Sequence, residues 1–290
     1  MCALAPLKLS LTSSSASRAG GSSVRLQRSA RPCATVNSTH RHRAAALVTC
    51  SSATSQTTKV KVCGVTDPED ALYAAKSGAD FIGMIVWPNA KRSVDVGLAK
   101  EITAAAREGG AEPVGVFVSE NSEEILGKCA EIGLDIAQLH GDGSRAALMG
   151  LPSKMKVIYV MNADADGTLV TPGPNELVDL DPALTGEKGW RKASDWMSRG
   201  RRTVDYLLID GLNAGSGESY DWSNLKVPRG ASKKGWILAG GLDPDSVAGA
   251  VSIARPNIVD VSSGVTMACG IKKDPVKVKA FIDAVKKNAA

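Results

Sequence analysis

The first 58 residues contain no aspartate and no glutamate. They carry seven lysine and arginine cations, Lys8, Arg18, Arg25, Arg28, Arg31, Arg41 and Arg43, set among Ser and Ala clusters such as Ser13-Ser14-Ser15. An acid-free, Arg- and Ser-rich leader has the composition of an organelle transit peptide, though a disordered basic tail would share it. Its Ser/Ala bias points to a chloroplast and hence the stroma, with processing near Val48-Thr49-Cys50. Long apolar runs are missing as well. Ala44-Ala45-Ala46-Leu47-Val48 is too short to span a bilayer, and no later segment is long enough, so no membrane partner is expected. Cysteine is sparse: Cys2, Cys33 and Cys50 fall in the leader, leaving Cys63, Cys129 and Cys269. An odd set without close pairing or zinc spacing excludes a disulfide framework and a zinc site, and suits free thiols in a reducing compartment. Cys129 lies on a helical pattern and reads as core, while Cys269, beside Gly270, has no assigned role. No Gly-x-Gly-x-x-Gly follows the first apolar run, which argues against dinucleotide binding.

The leader also owns the basic charge. The formal +5 of the whole chain becomes −2 for residues 59–290, where 28 basic residues face 30 acidic ones. Nothing there argues for a nucleic-acid partner. The 232 residues after the leader approach the roughly 250 of a single β/α barrel, enough to bury a full core without disulfides.

What is present is a set of short, continuous apolar runs that stop abruptly at small, polar or reactive residues. They read Val60-Lys61-Val62-Cys63-Gly64, Ile136-Ala137-Gln138-Leu139-His140-Gly141, Tyr206-Leu207-Leu208-Ile209-Asp210, Trp236-Ile237-Leu238-Ala239-Gly240-Gly241 and Ile258-Val259-Asp260-Val261-Ser262-Ser263-Gly264. Such runs suit strands buried on both faces, as in a parallel sheet. Strands are predicted at 60–63, 81–86, 114–118, 136–140, 157–160, 205–210, 237–239 and 258–262. Helices are predicted from Pro68 to Ser77-Gly78, at 94–108, at 122–132 closed by Gly133, at 244–253 and at 275–287. Asp67-Pro68-Glu69-Asp70 supplies a cap, a first-turn proline and acids where the helix dipole favours them. Residues 161–204 are polar and broken by Thr171-Pro172-Gly173-Pro174. One or two helices and a surface excursion are expected there, with 188–197 the best helical stretch. Eight strands alternating with helices predict a (β/α)8 TIM barrel over residues 59–290, preceded by the disordered leader 1–58.

In such a barrel the chemistry sits where the strands end. The turns at Gly240-Gly241 and Ser263-Gly264 follow the last two strands, where backbone N–H groups commonly hold a phosphate. Gly215-Ser216-Gly217 could close over the same ligand. Cys63 ends strand one, a position that more often reflects packing than catalysis. Asp210 after three apolar residues is poorly placed in a core and should face a polar mouth. A thiolate and a protonated carboxyl would suit proton shuffling between adjacent carbons. His140 could contact substrate or serve structurally. Arg92 could grip a carboxylate with two hydrogen bonds or be a solvated loop charge.

Together these segments resemble the phosphoribosylanthranilate isomerase family of tryptophan biosynthesis over nearly all of residues 59–290. The resemblance rests on Lys61-Val62-Cys63-Gly64-Val65-Thr66, Pro68-Glu69-Asp70-Ala71, Ser77-Gly78-Ala79-Asp80, Val114-Gly115-Val116-Phe117-Val118 and Gln138-Leu139-His140-Gly141. It continues through Gly217 to Asp221-Trp222, Leu238-Ala239-Gly240-Gly241-Leu242, Arg255-Pro256 and Val259-Asp260-Val261-Ser262-Ser263-Gly264-Val265. It implies a (β/α)8 barrel, no metal and no organic cofactor, a small-molecule substrate, and a monomer or homodimer. It implies an Amadori rearrangement of N-(5-phosphoribosyl)anthranilate to 1-(2-carboxyphenylamino)-1-deoxyribulose 5-phosphate. By resemblance Cys63 is the general base and Asp210 the general acid. Arg92 would hold the anthranilate carboxylate, and the turns at Gly240-Gly241 and Ser263-Gly264 the phosphate. The sequence departs from the family pattern at Gly211-Leu212-Asn213-Ala214, which lacks a threonine- and proline-containing stretch, and at Thr266, where the family often has Glu. A related phosphosugar barrel would resemble it less: indole-glycerol-phosphate synthase calls for Lys and Glu at strand ends, and the histidine-pathway isomerase for Asp in place of Cys63. A non-catalytic phosphosugar-binding barrel is the rival of another class, opposed by retention of Cys63 and Asp210.

Overall fold

Eight strands, each pairing in parallel with the next, close on themselves when the last pairs with the first. The computed structural model describes residues 57–174, 203–212, 219–228 and 230–287. Expectations for the leader up to residue 56, for the helix at 188–197 and for Gly215, Ser216 and Gly217 lie outside the described residues. The strands are β1 Lys59–Val62, β2 Phe81–Ile85, β3 Glu112–Phe117, β4 Ile136–Leu139, β5 Lys156–Ala163, β6 Tyr206–Gly211, β7 Trp236–Leu238 and β8 Ile258–Val261. Between and after them lie α1 Pro68–Ser77, α2 Val96–Glu108, α3 Ser122–Ile132, α4 Asp142–Ala146, α5 Val247–Ala254 and α6 Pro275–Lys287. None of these helices is long and apolar enough to cross a membrane.

Local sequence explains the boundaries. Asp67 caps α1 by accepting the Glu69 N–H, Pro68 occupies the first turn, and Gly78 at φ 109° ends it in the left-handed conformation that glycine adopts freely. In α3, Asn121 and Glu124 form a reciprocal capping box, and Gly133 at φ 85° closes the helix. Most predicted boundaries hold to within two residues, and two are displaced by three. The predicted helix at 244–253 begins only at Val247, because the Asp243 carboxylate accepts the N–H groups of Asp245 and Ser246 and holds 243–246 as a turn. The predicted strand at 157–160 runs on to Ala163, because its pairing with β6 extends as far as Ala163 opposite Gly211. The ladder therefore overrides the end of the apolar run.

The two faces of each strand serve two cores, as the period of two requires. Phe81, Val114, Ile136, Ile158, Leu208, Ile237 and Ile258 fill the barrel with their own buried cluster. The alternate residues, such as Val60, Val62, Leu207, Ile209 and Val261, pack outward in the cluster shared with Ala71, Ile102, Ile125 and Phe281 of the helices. This is why the runs read as continuously apolar. Leu208 is fully buried in the inner cluster, so Leu208→Ala should destabilise the protein by about 2–5 kcal/mol. Val276 on α6 is 77% exposed, and Val276→Ala should stay within about 0.5 kcal/mol. Urea denaturation of the two variants checks both values.

Candidate active site

The inward positions of β1 continue upward from Lys61 to Cys63, two residues apart on the same face. Lys61 is fully buried, and the β1–β8 register sets it opposite Asp260. Its Nζ lies 2.9 Å from Asp260 Oδ1, donating a charge-assisted hydrogen bond inside the barrel. Burial opposes the Lys61 charge, but Asp260 and Cys63 outweigh it and hold the ammonium above its ordinary value. Cys63, two residues on, is 7% exposed. Gly83 on β2 makes room for both groups: a Cβ there would stand 2.7 Å from Cys63 Sγ and 3.2 Å from Lys61 Nζ. Burial pushes the Cys63 thiol up, Lys61 pulls it back, and Asp260 pushes it up again; the balance leaves it above its ordinary value.

Asp210 sits near the end of β6, buried, with its Oδ1 accepting the Gly211 N–H at 2.9 Å. Burial first and the Asp260 charge second raise it to about 7, against smaller opposing effects of that N–H and of Lys61. The carboxyl is therefore half protonated near neutrality. One buried ion pair thus acts on both the sulfur and the carboxyl. Gly240 at φ 88° allows this packing, since a Cβ there would lie 2.9 Å from the Gly211 nitrogen and 3.1 Å from Asp210 Oδ1.

His140, just past β4, turns Nε2 toward Asp210 Oδ2 at 3.6 Å, a contact too long for a hydrogen bond. The Gln138 amide donates to His140 Nδ1 at 3.0 Å, which leaves the ring proton on Nε2, facing Asp210. Burial, Lys61 and Arg145 depress His140 to about 4, so the ring is neutral at physiological pH. Its carbonyl and that of Val160 accept hydrogen bonds from Arg145 Nη1 at 3.4 and 3.2 Å.

Arg92, half-buried in the loop after β2, donates from Nη1 to the Gly270 carbonyl at 3.3 Å, while its buried Nε has no partner. A Cβ on Gly64 would come within 2.7 Å of that Nε and 2.9 Å of Ser262 Oγ, so glycine after Cys63 admits the guanidinium to the rim. Ser262 Oγ donates to the Cys63 carbonyl at 3.0 Å. Lys273, buried between β8 and α6, donates to the same carbonyl at 2.6 Å and to the Ser262 carbonyl at 3.0 Å. Burial lowers Lys273 to about 8, with Arg92 adding to the effect and Cys63 opposing it. After β7, Gly240 and Gly241 both take positive φ, 88° and 65°. After β8, Ser263–Val265 forms a 3-10 turn in which a Cβ on Gly264 would strike the Leu242 carbonyl at 2.1 Å. The two glycine turns are therefore in contact.

A model of the N-(5'phosphoribosyl)anthranilate (PRA) isomerase family matches residues 60–190 and 192–284, nearly the whole barrel. The chain belongs to that family. It is 43% identical over 227 residues to N-(5'-phosphoribosyl)anthranilate isomerase 1, chloroplastic, of Arabidopsis thaliana, covering 78% of this chain and 74% of the relative. Among solved structures it is similar to phosphoribosyl anthranilate isomerase from Thermotoga maritima, with TM-score 0.61 and 30% identity over 79% of this chain and 99% of that one. A further structure, with TM-score 0.58, 30% identity and the same coverages, is such an isomerase in complex with reduced 1-(o-carboxyphenylamino)-1-deoxyribulose 5-phosphate.

Among the described residues, Asp210 near the end of β6 and Cys63, His140, Arg92 and both glycine turns after their strands all lie toward the C-terminal end of the parallel barrel. Sequence reading passed over Lys61, Asp260 and Lys273 as functional residues. The signal was there for two of them: a lysine and an aspartate interrupt otherwise apolar strands, and a buried charge needs a partner. Lys273, in a polar loop, gave no such signal. Cys129 is core, as expected, with burial pushing its thiol to about 12. Cys269 is exposed.

The raised Asp210 has a stability consequence. Between its unfolded value near 4 and its folded value of about 7 the native state alone holds the proton, so this group's contribution to stability declines as pH rises through that window. The decline is roughly 1.4 kcal/mol per pH unit at most. Asp210→Asn should therefore raise Tm relative to wild type at pH 8 and leave it nearly unchanged at pH 4. Thermal melts at the two values check the sign.

Proposed function

We propose that this family member catalyses the family's isomerisation, turning N-(5-phosphoribosyl)anthranilate into 1-(2-carboxyphenylamino)-1-deoxyribulose 5-phosphate. The observation that carries the reading is the pairing of a titratable thiol at the end of β1 with a carboxyl at the end of β6 that burial keeps partly protonated near pH 7. An aldose–ketose rearrangement needs one proton donor and one proton acceptor of this kind, held on the two sides of a sugar. Asp210 gives its proton to the furanose oxygen as the C1–O bond breaks, and the nitrogen lone pair forms the Schiff base. Cys63, as thiolate, takes the proton from C2, and the C2–H electrons flow toward the iminium nitrogen to give an enolamine. Loss of the enol proton at the C2 hydroxyl and protonation at C1 yield the ketone. Each acid–base group of this type contributes about 10²–10⁴-fold.

The rest of the rim orients the substrate. Arg92 binds the anthranilate carboxylate with its fork of donors, and Gly240, Gly241, Ser263 and Gly264 bring backbone close to the phosphate, with Gly215 and Gly217 as further ligands. Fixing both ends holds the reacting carbons against Cys63 and Asp210. Neutral His140 donates from Nε2 toward Asp210 or a sugar hydroxyl. Residues 59–290 form the catalytic domain. The leader directs the chain to the chloroplast stroma, a reading supported by its composition and by the chloroplastic names of two Arabidopsis relatives. The assembly is a monomer or a homodimer; the Thermotoga relative is described as dimeric.

Incubation with phosphoribosylanthranilate, followed by loss of its anthranilate-type fluorescence, tests the activity, and no turnover by the wild-type chain would overturn the proposal. Cys63→Ala and Asp210→Asn should each fold yet lose at least 10²-fold in kcat. Full turnover by either variant would remove that residue from its role. Arg92→Ala should act chiefly through KM, raising it about tenfold or more, since a charge-assisted bidentate contact is lost. The kcat/KM profile should be bell-shaped. Its rising limb near pH 7 is Asp210 and its falling limb Cys63, because the active form shares its single proton with the inactive tautomer.

A further inference from the structure

We propose that the buried Lys61–Asp260 ion pair biases where the single proton of the catalytic couple resides, its ammonium drawing the Cys63 sulfur toward the thiolate and its carboxylate drawing the Asp210 carboxyl toward the protonated form. Lys61 and Asp260 are thus positioning residues that act through Cys63 and Asp210. The inference rests on the isomerase reading above and concerns residues to which neither motif nor composition gave a role. Its geometric basis is the packing of Lys61 against both Cys63 and Asp260. Lys61 is two residues before Cys63 on one inward face, and the notch at Gly83 brings Nζ and Sγ into the same space. Asp260 takes the hydrogen bond of Lys61 at 2.9 Å from the neighbouring strand. The pair is buried, so solvent and salt screen its charges less than they would at the surface.

The couple needs such an arrangement because its ordinary preference is the wrong one. A thiol is the weaker acid and a carboxyl the stronger, so unaided groups would leave the proton on sulfur. Every charge facing the pair bears on the outcome. Cys63 is faced by Lys61 on its own strand, Asp260 on β8 and Lys273 before α6. Arg92, at the rim, stands beside Gly64 and bears on Lys273. Asp210 is faced by Asp260, Lys61, neutral His140 on the β4 side and Tyr220, whose hydroxyl donates to the Ile209 carbonyl. Among these, Lys61 is the largest influence drawing Cys63 toward the thiolate, and Asp260 is the charge that most raises Asp210.

The test is the pH bell of the full-length chain with phosphoribosylanthranilate as substrate, comparing wild type with the double variant Lys61→Met/Asp260→Leu. Removing Lys61 alone strands a buried carboxylate and endangers the fold, whereas exchanging both charges for apolar residues of similar volume is often neutral or stabilising. If the proposal holds, the double variant folds, its two limbs move apart by at least one pH unit, and its peak kcat/KM falls at least tenfold. Each unit of separation lowers the productive tautomer tenfold. A double variant with the wild-type bell and peak would overturn the proposal and leave the pair a packing device. A double variant that cannot fold would overturn it too, because the pair would then be required by the barrel itself. No turnover by the wild type would instead defeat the isomerase reading.

Discussion

The seam where β8 meets β1 is the constraint on which the site depends. Closing the barrel sets Lys61 opposite Asp260, and that register places Cys63 one step above the ion pair. The seam is then tied at the rim. Lys273 and Ser262 both donate to the Cys63 carbonyl, and Lys273 also reaches the Ser262 carbonyl, so the backbone beneath the thiol is held from β8 and from the chain leading into α6. Because the side-chain period is two, a one-residue slip in this pairing would turn Lys61 and Cys63 outward and break the ion pair with Asp260.

The same closure explains the electrostatics. A lysine and an aspartate taken out of water cost several kcal/mol each, repaid only where their geometry is good and few other polar groups go unsatisfied. Inside the barrel they stand at 2.9 Å, and each adjoins a titratable group that its sign affects. Burying Asp210 raises it at the expense of stability once the carboxyl ionises, an exchange common where a fold holds a reactive group ready. Glycines make the space: Gly83 for Sγ and Nζ, Gly64 for Arg92, Gly240 for Asp210. Each stands where a side chain would displace a functional atom.

Much of this was legible in the chain. The runs ending at Cys63, His140, Asp210, Gly240 and Ser262 marked strand ends, because strands buried on both faces must be apolar throughout and stop where the rim begins. Boundaries were less legible where tertiary contacts decide them. β5 continues through Met161 and Asn162 because β6 pairs with it there, and α4 is a five-residue helix, Asp142–Ala146, whose opening Asp142-Gly143-Ser144 reads locally as loop. The Asp243 carboxylate delays α5 in a way that the Asp-Pro pair concealed. Lys61 and Asp260 were visible as charges within apolar runs. Their partnership was not, because it joins residues 199 positions apart through a closure that only the whole barrel makes.

Binding of the reduced product analogue 1-(o-carboxyphenylamino)-1-deoxyribulose 5-phosphate to this chain, followed by crystallography, tests the central claim most directly. The account predicts the sugar carbons between Cys63 Sγ and the Asp210 carboxyl, the carboxylate on Arg92 and the phosphate at the turns after β7 and β8. An analogue bound elsewhere, or one that reaches the rim while leaving either Cys63 or Asp210 beyond contact with the sugar, would contradict it.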